Sequence, residues 1–281
     1  MRKALQILVL LGSLGVAGCN DTSQPHDVTP PAAPRGLFSV TGDGQVTLNW
    51  LANTESDLSG YRVYESPCSN GPNCPYDRIG ATATTQFVVS GLANGVTRFY
   101  AISSVDKAGN ESDLSFEDVF DTPRPAGGTT LHNYLAGTAN TGWDFSAFAH
   151  VSSIDPPADM FYGNNGAVAQ MFCTAVQLAD SSYVFNDIQD AGYASSLDAV
   201  DVSPQGQTAG WSPTGSVELI PGHCYIVWTW DDHYAKFRVT GISVSDVSID
   251  WAYQTAVGNP ELRNRPVHTR SSTPRPVAWL R

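Results

Sequence analysis

Asp231, Asp232 and His233 stand side by side between two β-forming runs, residues 224–230 and 234–240. Two carboxylates beside an imidazole are the ingredients of proton transfer or of a metal site. Neighbouring residues on a strand face opposite ways, however, and a polar Asp-Asp pair between two such runs is what a hairpin tip requires. The 281 residues contain no Gly-x-Ser-x-Gly elbow, His-Glu-x-x-His, Gly-x-x-x-x-Gly-Lys-Ser/Thr or dinucleotide glycine fingerprint. The chain is therefore expected not to be an enzyme.

Its second half is rich in tryptophan: Trp143, Trp211, Trp228, Trp230 and Trp251 follow a single Trp50 in the first folded segment. An exposed indole face packs on a pyranose ring, and a neighbouring carboxylate accepts from its hydroxyls. Trp211, Trp228, Trp230 and His233 are the candidate ligand-binding residues; Trp228 and Trp230, two apart on one run, would share a face. A haem would instead need axial donors at the mouth of an apolar pocket. The donors available are His132, His150, His223, His233, Met160 and Met171, without any spacing rule among them. No cofactor is expected, and haem is the alternative.

Setting Cys19 aside, the thiols fall two and two, Cys68 with Cys74 and Cys173 with Cys224. Of the three connectivities, Cys68–Cys74 and Cys173–Cys224 are expected, because Ser69-Asn70-Gly71-Pro72-Asn73 is a turn that brings its own ends together. A zinc site is not expected, since no Cys-x2-Cys pair occurs.

Met1-Arg2-Lys3 leads into the apolar Ile7-Leu8-Val9-Leu10-Leu11 and then Val16-Ala17-Gly18-Cys19. This resembles a bacterial lipoprotein lipobox. The resemblance implies a signal peptide over residues 1–18, lipidation (palmitate among the acyl groups) at Cys19, and a membrane partner held through the lipid anchor. The apolar run is shorter than the roughly 20 residues that span a bilayer. Asn20 after the cysteine, by analogy with the sorting of such lipoproteins, favours the outer membrane or cell surface within the cell envelope. Loss of Arg2 and Lys3 would leave 13 basic against 27 acidic side chains. That balance argues against nucleic acid, whose phosphates demand clustered Lys and Arg.

The elements that would position these residues read as strands throughout. Residues 19–34 are polar and proline-rich, an expected tether. Residues 35–121 carry short alternating runs separated by Gly-Asp-Gly and Asn-Gly turn signals. Pro34 with Leu37, Trp50, Asp57-Leu58-Ser59-Gly60-Tyr61-Arg62-Val63-Tyr64, Leu92-Ala93-Asn94-Gly95 and Val105-Asp106-Lys107-Ala108-Gly109-Asn110-Glu111-Ser112 together resemble the fibronectin type III family. The resemblance implies a seven-stranded sandwich serving as a spacer. Arg98 stands where the family has its corner tyrosine.

Thr122-Pro123-Arg124-Pro125-Ala126-Gly127-Gly128-Thr129-Thr130 is a composition break, expected to be a linker over 122–130. Residues 131–257 form the expected second domain. Residues 144–150, 159–162, 224–230, 233–240 and 247–253 are its expected strands, and 258–281 a loose tail. Ala158-Asp159-Met160-Phe161-Tyr162 with Asn165-Gly166, Thr229-Trp230-Asp231-Asp232-His233-Tyr234-Ala235-Lys236 and Trp251-Ala252-Tyr253-Gln254 resemble the HmuY-like family of surface lipoproteins, though Ala158 stands where the family has tryptophan and Asp232 where it has a turn glycine. That resemblance implies an antiparallel β domain and haem or other small-ligand capture, with no ligand residue carried over.

The sequence thus predicts an all-β, two-domain exported lipoprotein: a fibronectin type III sandwich followed by a second antiparallel β domain. Its expected role is non-enzymatic binding or adhesion, with a protein, glycan or haem ligand.

Overall fold

The computed structural model describes residues 26–69, 74–117, 119–153, 158–177, 183–200, 203 and 210–262. The expected signal segment over 1–18, the expected lipidation site Cys19 and residues 263–281 lie outside the described residues. No helix among the described residues is long and apolar enough to cross a membrane. The chain is all-β and antiparallel.

The first domain contains β1 (Phe38–Thr41), β2 (Gln45–Asn49), β3 (Leu58–Ser66), β4 (Asp77–Thr82), β5 (Gln86–Ser90), β6 (Arg98–Asp106) and β7 (Val119–Asp121). They form two sheets, β1-β2-β5 and β4-β3-β6-β7. This is the fibronectin type III arrangement. Alternation along β2 turns Val46 and Leu48 inward and Thr47 outward, and the core closes on Leu37, Trp50, Tyr61, Val63, Tyr100 and Ile102. Arg98 pairs with Glu65 at 3.3 Å. A disulfide joins Cys68 and Cys74 across the loop after β3.

The end of the expected tether, over 31–34, and the expected linker are both tied down. Pro31 and Pro34 are buried, and the Ala32 carbonyl accepts from Ser104 Oγ at 2.7 Å and Asn53 Nδ2 at 2.8 Å. Thr122, Pro123, Arg124 and Pro125 are all buried, and Ala126–His132 is a strand, β8, not linker. The junction is therefore a tight one. Prolines that stiffen a free chain also fit a buried one, because they bring no N–H that would need a partner.

The second domain continues with β9 (Gly142–Asp144), β10 (Ala149–Val151), β11 (Met160–Asn164), β12 (Ala169–Cys173), β13 (Ala175–Gln177), β14 (Tyr183–Phe185), β15 (Asp187–Tyr193), β16 (Ser216–Glu218), β17 (His223–Trp228), β18 (Tyr234–Ile242) and β19 (Asp246–Gln254). Two five-stranded sheets, β10-β9-β11-β12-β16 and β15-β17-β18-β19-β8, face each other, with β13-β14 a separate hairpin. The first strand of this domain, β8, pairs with the last, β19. Between the sheets lie Trp143, Phe145, Met160, Tyr162, Met171, Tyr225, Phe237 and Trp251. Each such side chain contributes roughly 1.5–3 kcal/mol by leaving water. The expected strand over 144–150 is instead a hairpin. Asp144 Oδ1 accepts from the N–H groups of Ser146 (2.8 Å) and Ala147 (3.0 Å), and Phe148 adopts a left-handed φ of 53°.

The expected Cys173–Cys224 bridge is not formed; both are free thiols. Cys173 shares the face of Met171 and packs on the core between the sheets. Cys224 lies on the other side of the opposing sheet, with Ile226, where its Sγ meets the Ser196 carbonyl at 3.8 Å. The β17 backbone therefore stands between the two sulfurs. That outer face is roofed by residues 194–200, which the buried Lys236 holds through Nζ bonds to the carbonyls of Leu197 (2.7 Å) and Val200 (2.8 Å).

Candidate functional site

The β17–β18 turn closes as a compact polar loop. Thr229 N–H donates to the His233 carbonyl at 2.9 Å, and Asp232 N–H donates to the Thr229 carbonyl at 3.0 Å. Thr229 Oγ1 donates to Asp231 Oδ1 at 2.6 Å. Asp232 occupies the left-handed region at φ 62°, which an aspartate tolerates better than most residues. Its Oδ1 accepts the indole N–H of Trp228 at 2.8 Å.

Because β17 ends at Trp228, Trp230 belongs to the turn and does not share a strand face with it. Trp230 is 47% exposed, and its backbone N–H donates to Asn186 Oδ1 at 2.7 Å. The buried Asn186 also donates through Nδ2 to the Asp159 carbonyl and to Thr174 Oγ1, each at 3.1 Å. The turn is thus pinned to the β11 and β12 side of the sandwich. His233 Nδ1 lies 3.2 Å from Asp231 Oδ2, and its ring tilts against Tyr253 at 5.4 Å. Tyr253 in turn stacks on Phe145 at 5.8 Å and meets the half-exposed Phe148 edge-on at 6.2 Å.

Three carboxylates converge on this end. Asp159 is 5% exposed, with Oδ2 accepting the Phe145 N–H at 2.8 Å. Burial pushes its pKa up to about 7, and the charges of Asp144 and Asp231 add to the rise. A carboxyl titrating near neutrality is often catalytic. Here it is covered by protein, whereas Asp231 and Trp230 both reach solvent.

The remaining candidates are structural. Trp211 is only 9% exposed and packs on Trp228 at 5.9 Å, which stacks on Tyr234 at 5.7 Å. Trp143 and Trp251 cross at 5.4 Å inside the core. Met160 and Met171 are fully buried there, so neither thioether faces a pocket. His132 pairs with Asp246, His223 with Asp190 at 3.0 Å, and His150 with Thr129 at 3.0 Å. Each imidazole is engaged at a separate place. Phe148 and Asn186 carry no sequence signal for these roles, since neither a left-handed phenylalanine nor a buried cross-strand amide leaves a local pattern.

In the first domain Asp27, Asp57 and Asp106 each bring a carboxylate oxygen within 4.8 Å of the others, the donor set of a hard cation. Both oxygens of Asp106 already accept from Asn110, at 2.8 Å each.

The fold and this site define a two-domain β protein with a fibronectin type III domain and, among the described residues, one half-exposed tryptophan. No family model matches the chain. It is 36% identical over 115 residues to an amylopullulanase of Thermoanaerobacterium saccharolyticum, covering 40% of this chain and 8% of that protein. It is 38% identical over 127 residues to chitinase A1 of Niallia circulans, covering 43% of this chain and 17% of that protein. The chain thus spans only a small part of these relatives' length. Among solved structures, an Fn3-like protein from Clostridium thermocellum is 27% identical, with a TM-score of 0.28, covering 33% of this chain and 92% of that one.

Proposed function

We propose that this protein is a non-catalytic carbohydrate-binding protein of the cell envelope. The fibronectin type III domain is its spacer, and the Trp230 end of the second domain is its binding face. The observation that carries the reading is Trp230: alone among the five tryptophans of the second domain it stands half in solvent, on a turn fixed by Asn186 and beside Asp231. Ring stacking on that indole, with hydroxyls donating to the carboxylate, is the chemistry of sugar capture. The relatives support the same reading: they carry the names of polysaccharide-acting enzymes, and the matched part is a small share of each.

Retention of the purified protein on insoluble starch, cellulose and chitin is the test. Retention on one of them, lost in Trp230→Ala with the fold intact, is the expected result; retention on none of them sinks the reading. The anchor is a separate proposal, supported by the lipobox-like Val16-Ala17-Gly18-Cys19. Cys19→Ala should move the protein out of the membrane fraction or leave it uncleaved, and mass spectrometry of the mature N-terminus decides between lipidation and none.

A further inference from the structure

The two domains meet around Arg124, a guanidinium only 1% exposed. Its Nε and Nη2 both donate to the Leu262 carbonyl, the former at 2.8 Å. Its Nη1 has no hydrogen-bond partner among the described residues. Beside it opens a cleft of about 370 Å³, within the size range of small-molecule sites, roughly 300–1,000 Å³. Gln45 and Thr47, on the outward face of β2, form one wall; Asp198 and Asp250 form the other. Val40 and Leu197 supply apolar surface.

This lining selects a ligand class. Asp198 and Asp250 line the cleft against the single guanidinium of Arg124, so its balance is negative and repels phosphate or sulfate. An apolar ligand would strip water from the Asp198 and Asp250 carboxylates without compensation. A saccharide fits both constraints. Its hydroxyls donate to carboxylates and accept from a guanidinium or amide, and its C–H faces lie on apolar side chains.

We propose that this inter-domain cleft is a second saccharide subsite, taking a short neutral sugar between Arg124, Asp198 and Asp250 with Gln45 and Thr47 opposite. The assignment rests on the reading of the chain as a carbohydrate binder, and it adds a site that draws on both domains at once. The first domain then contributes a wall of a binding site as well as length. A glycan held in the cleft would also brace the junction, since it would touch both sides of it.

Isothermal titration of the full chain with maltotriose, cellotriose and triacetylchitotriose tests this, using wild type, Trp230→Ala, Thr47→Trp and Asp250→Asn. Thr47→Trp fills the cleft from the first domain's side. Asp250→Asn keeps the volume and weakens an acceptor, which guards against misfolding of the bulkier variant. Two sites in wild type are expected. Thr47→Trp should remove one of them, Asp250→Asn should weaken the same one about tenfold, the order of one charge-assisted hydrogen bond, and Trp230→Ala should remove the other. A single wild-type site that Trp230→Ala abolishes, and that both cleft variants leave unchanged, overturns the cleft and leaves the Trp230 reading standing. No binding of any trisaccharide also overturns the cleft, while the Trp230 reading is still judged by retention on insoluble polysaccharide. Binding lost in the cleft variants alone supports the cleft and counts against Trp230.

Discussion

Asn186 holds Trp230 from across the sandwich: its Oδ1 accepts the Trp230 N–H at 2.7 Å while its Nδ2 donates to the Asp159 carbonyl at 3.1 Å. One buried amide therefore fixes where the exposed indole stands, and it does so through the backbone, leaving the ring free to meet a ligand. Replacing Asn186 by Ala leaves the turn N–H of Trp230 without a partner and the Asp159 carbonyl with only the Thr174 N–H, at 3.2 Å. The expected cost is about 1–3 kcal/mol of stability, read by urea denaturation. Polysaccharide retention should fall along with it, whereas an equally destabilising core variant such as Val239→Ala should leave retention intact below its own melting temperature.

The buried carboxyls make stability pH-dependent in a stated direction. Burial raises Asp159 from 3.8 to about 7, Glu261 from 4.5 to about 7 and Asp121 from 3.8 to about 6. Each then holds its proton more tightly folded than unfolded. Their stabilising contribution is complete below about pH 4 and is lost as pH rises through about 6–7. From these groups the melting temperature should fall between pH 4.5 and pH 7.5. Asp159→Asn, which keeps an oxygen for the Phe145 N–H, should make that fall shallower. A fall of equal steepness in the variant would show that Asp159 is not one of the groups responsible.

Cys173 and Cys224 should resist alkylation in the folded protein, because burial pushes both thiols above their ordinary pKa and the thiolate is the reactive form. Unfolding without reductant should expose both to maleimide, while Cys68 and Cys74 should label only after reduction. Peptide mapping reads all four positions. A Cys173–Cys224 peptide in the unreduced digest would contradict the placement of the two sulfurs on opposite sides of β17.

Trp143→Ala should cost about 3–5 kcal/mol, the usual penalty for emptying a large aromatic site in a core. Trp143 crosses Trp251 at 5.4 Å and meets His150 edge-on at 5.3 Å, so its loss opens the centre of the second domain. Trp230→Ala should cost clearly less than Trp143→Ala, because nearly half of Trp230 already stands in solvent. The pair of melting curves separates a structural tryptophan from a ligand-facing one.

The sequence by itself determined what is local. Alternation in β2, β3 and β6 and the turns between them specify strands, and the Asp-Asp pair marks the β17–β18 tip, because side-chain direction with period two and turn chemistry depend on neighbours in the chain. The short Cys68–Cys74 loop is of the same kind. Only the tertiary structure decided which side of a sheet is covered and by what. Cys173 and Cys224 read as partners until the sheets place one inside the sandwich and the other beneath the roof over its outer face. Residues 122–125 read as a linker until Arg124 is found buried against Leu262. Of the three candidate tryptophans Trp211, Trp228 and Trp230, packing placed the first two in the interior or its margin and left Trp230 in solvent, because burial is set by residues far away in the chain that the local pattern does not contain.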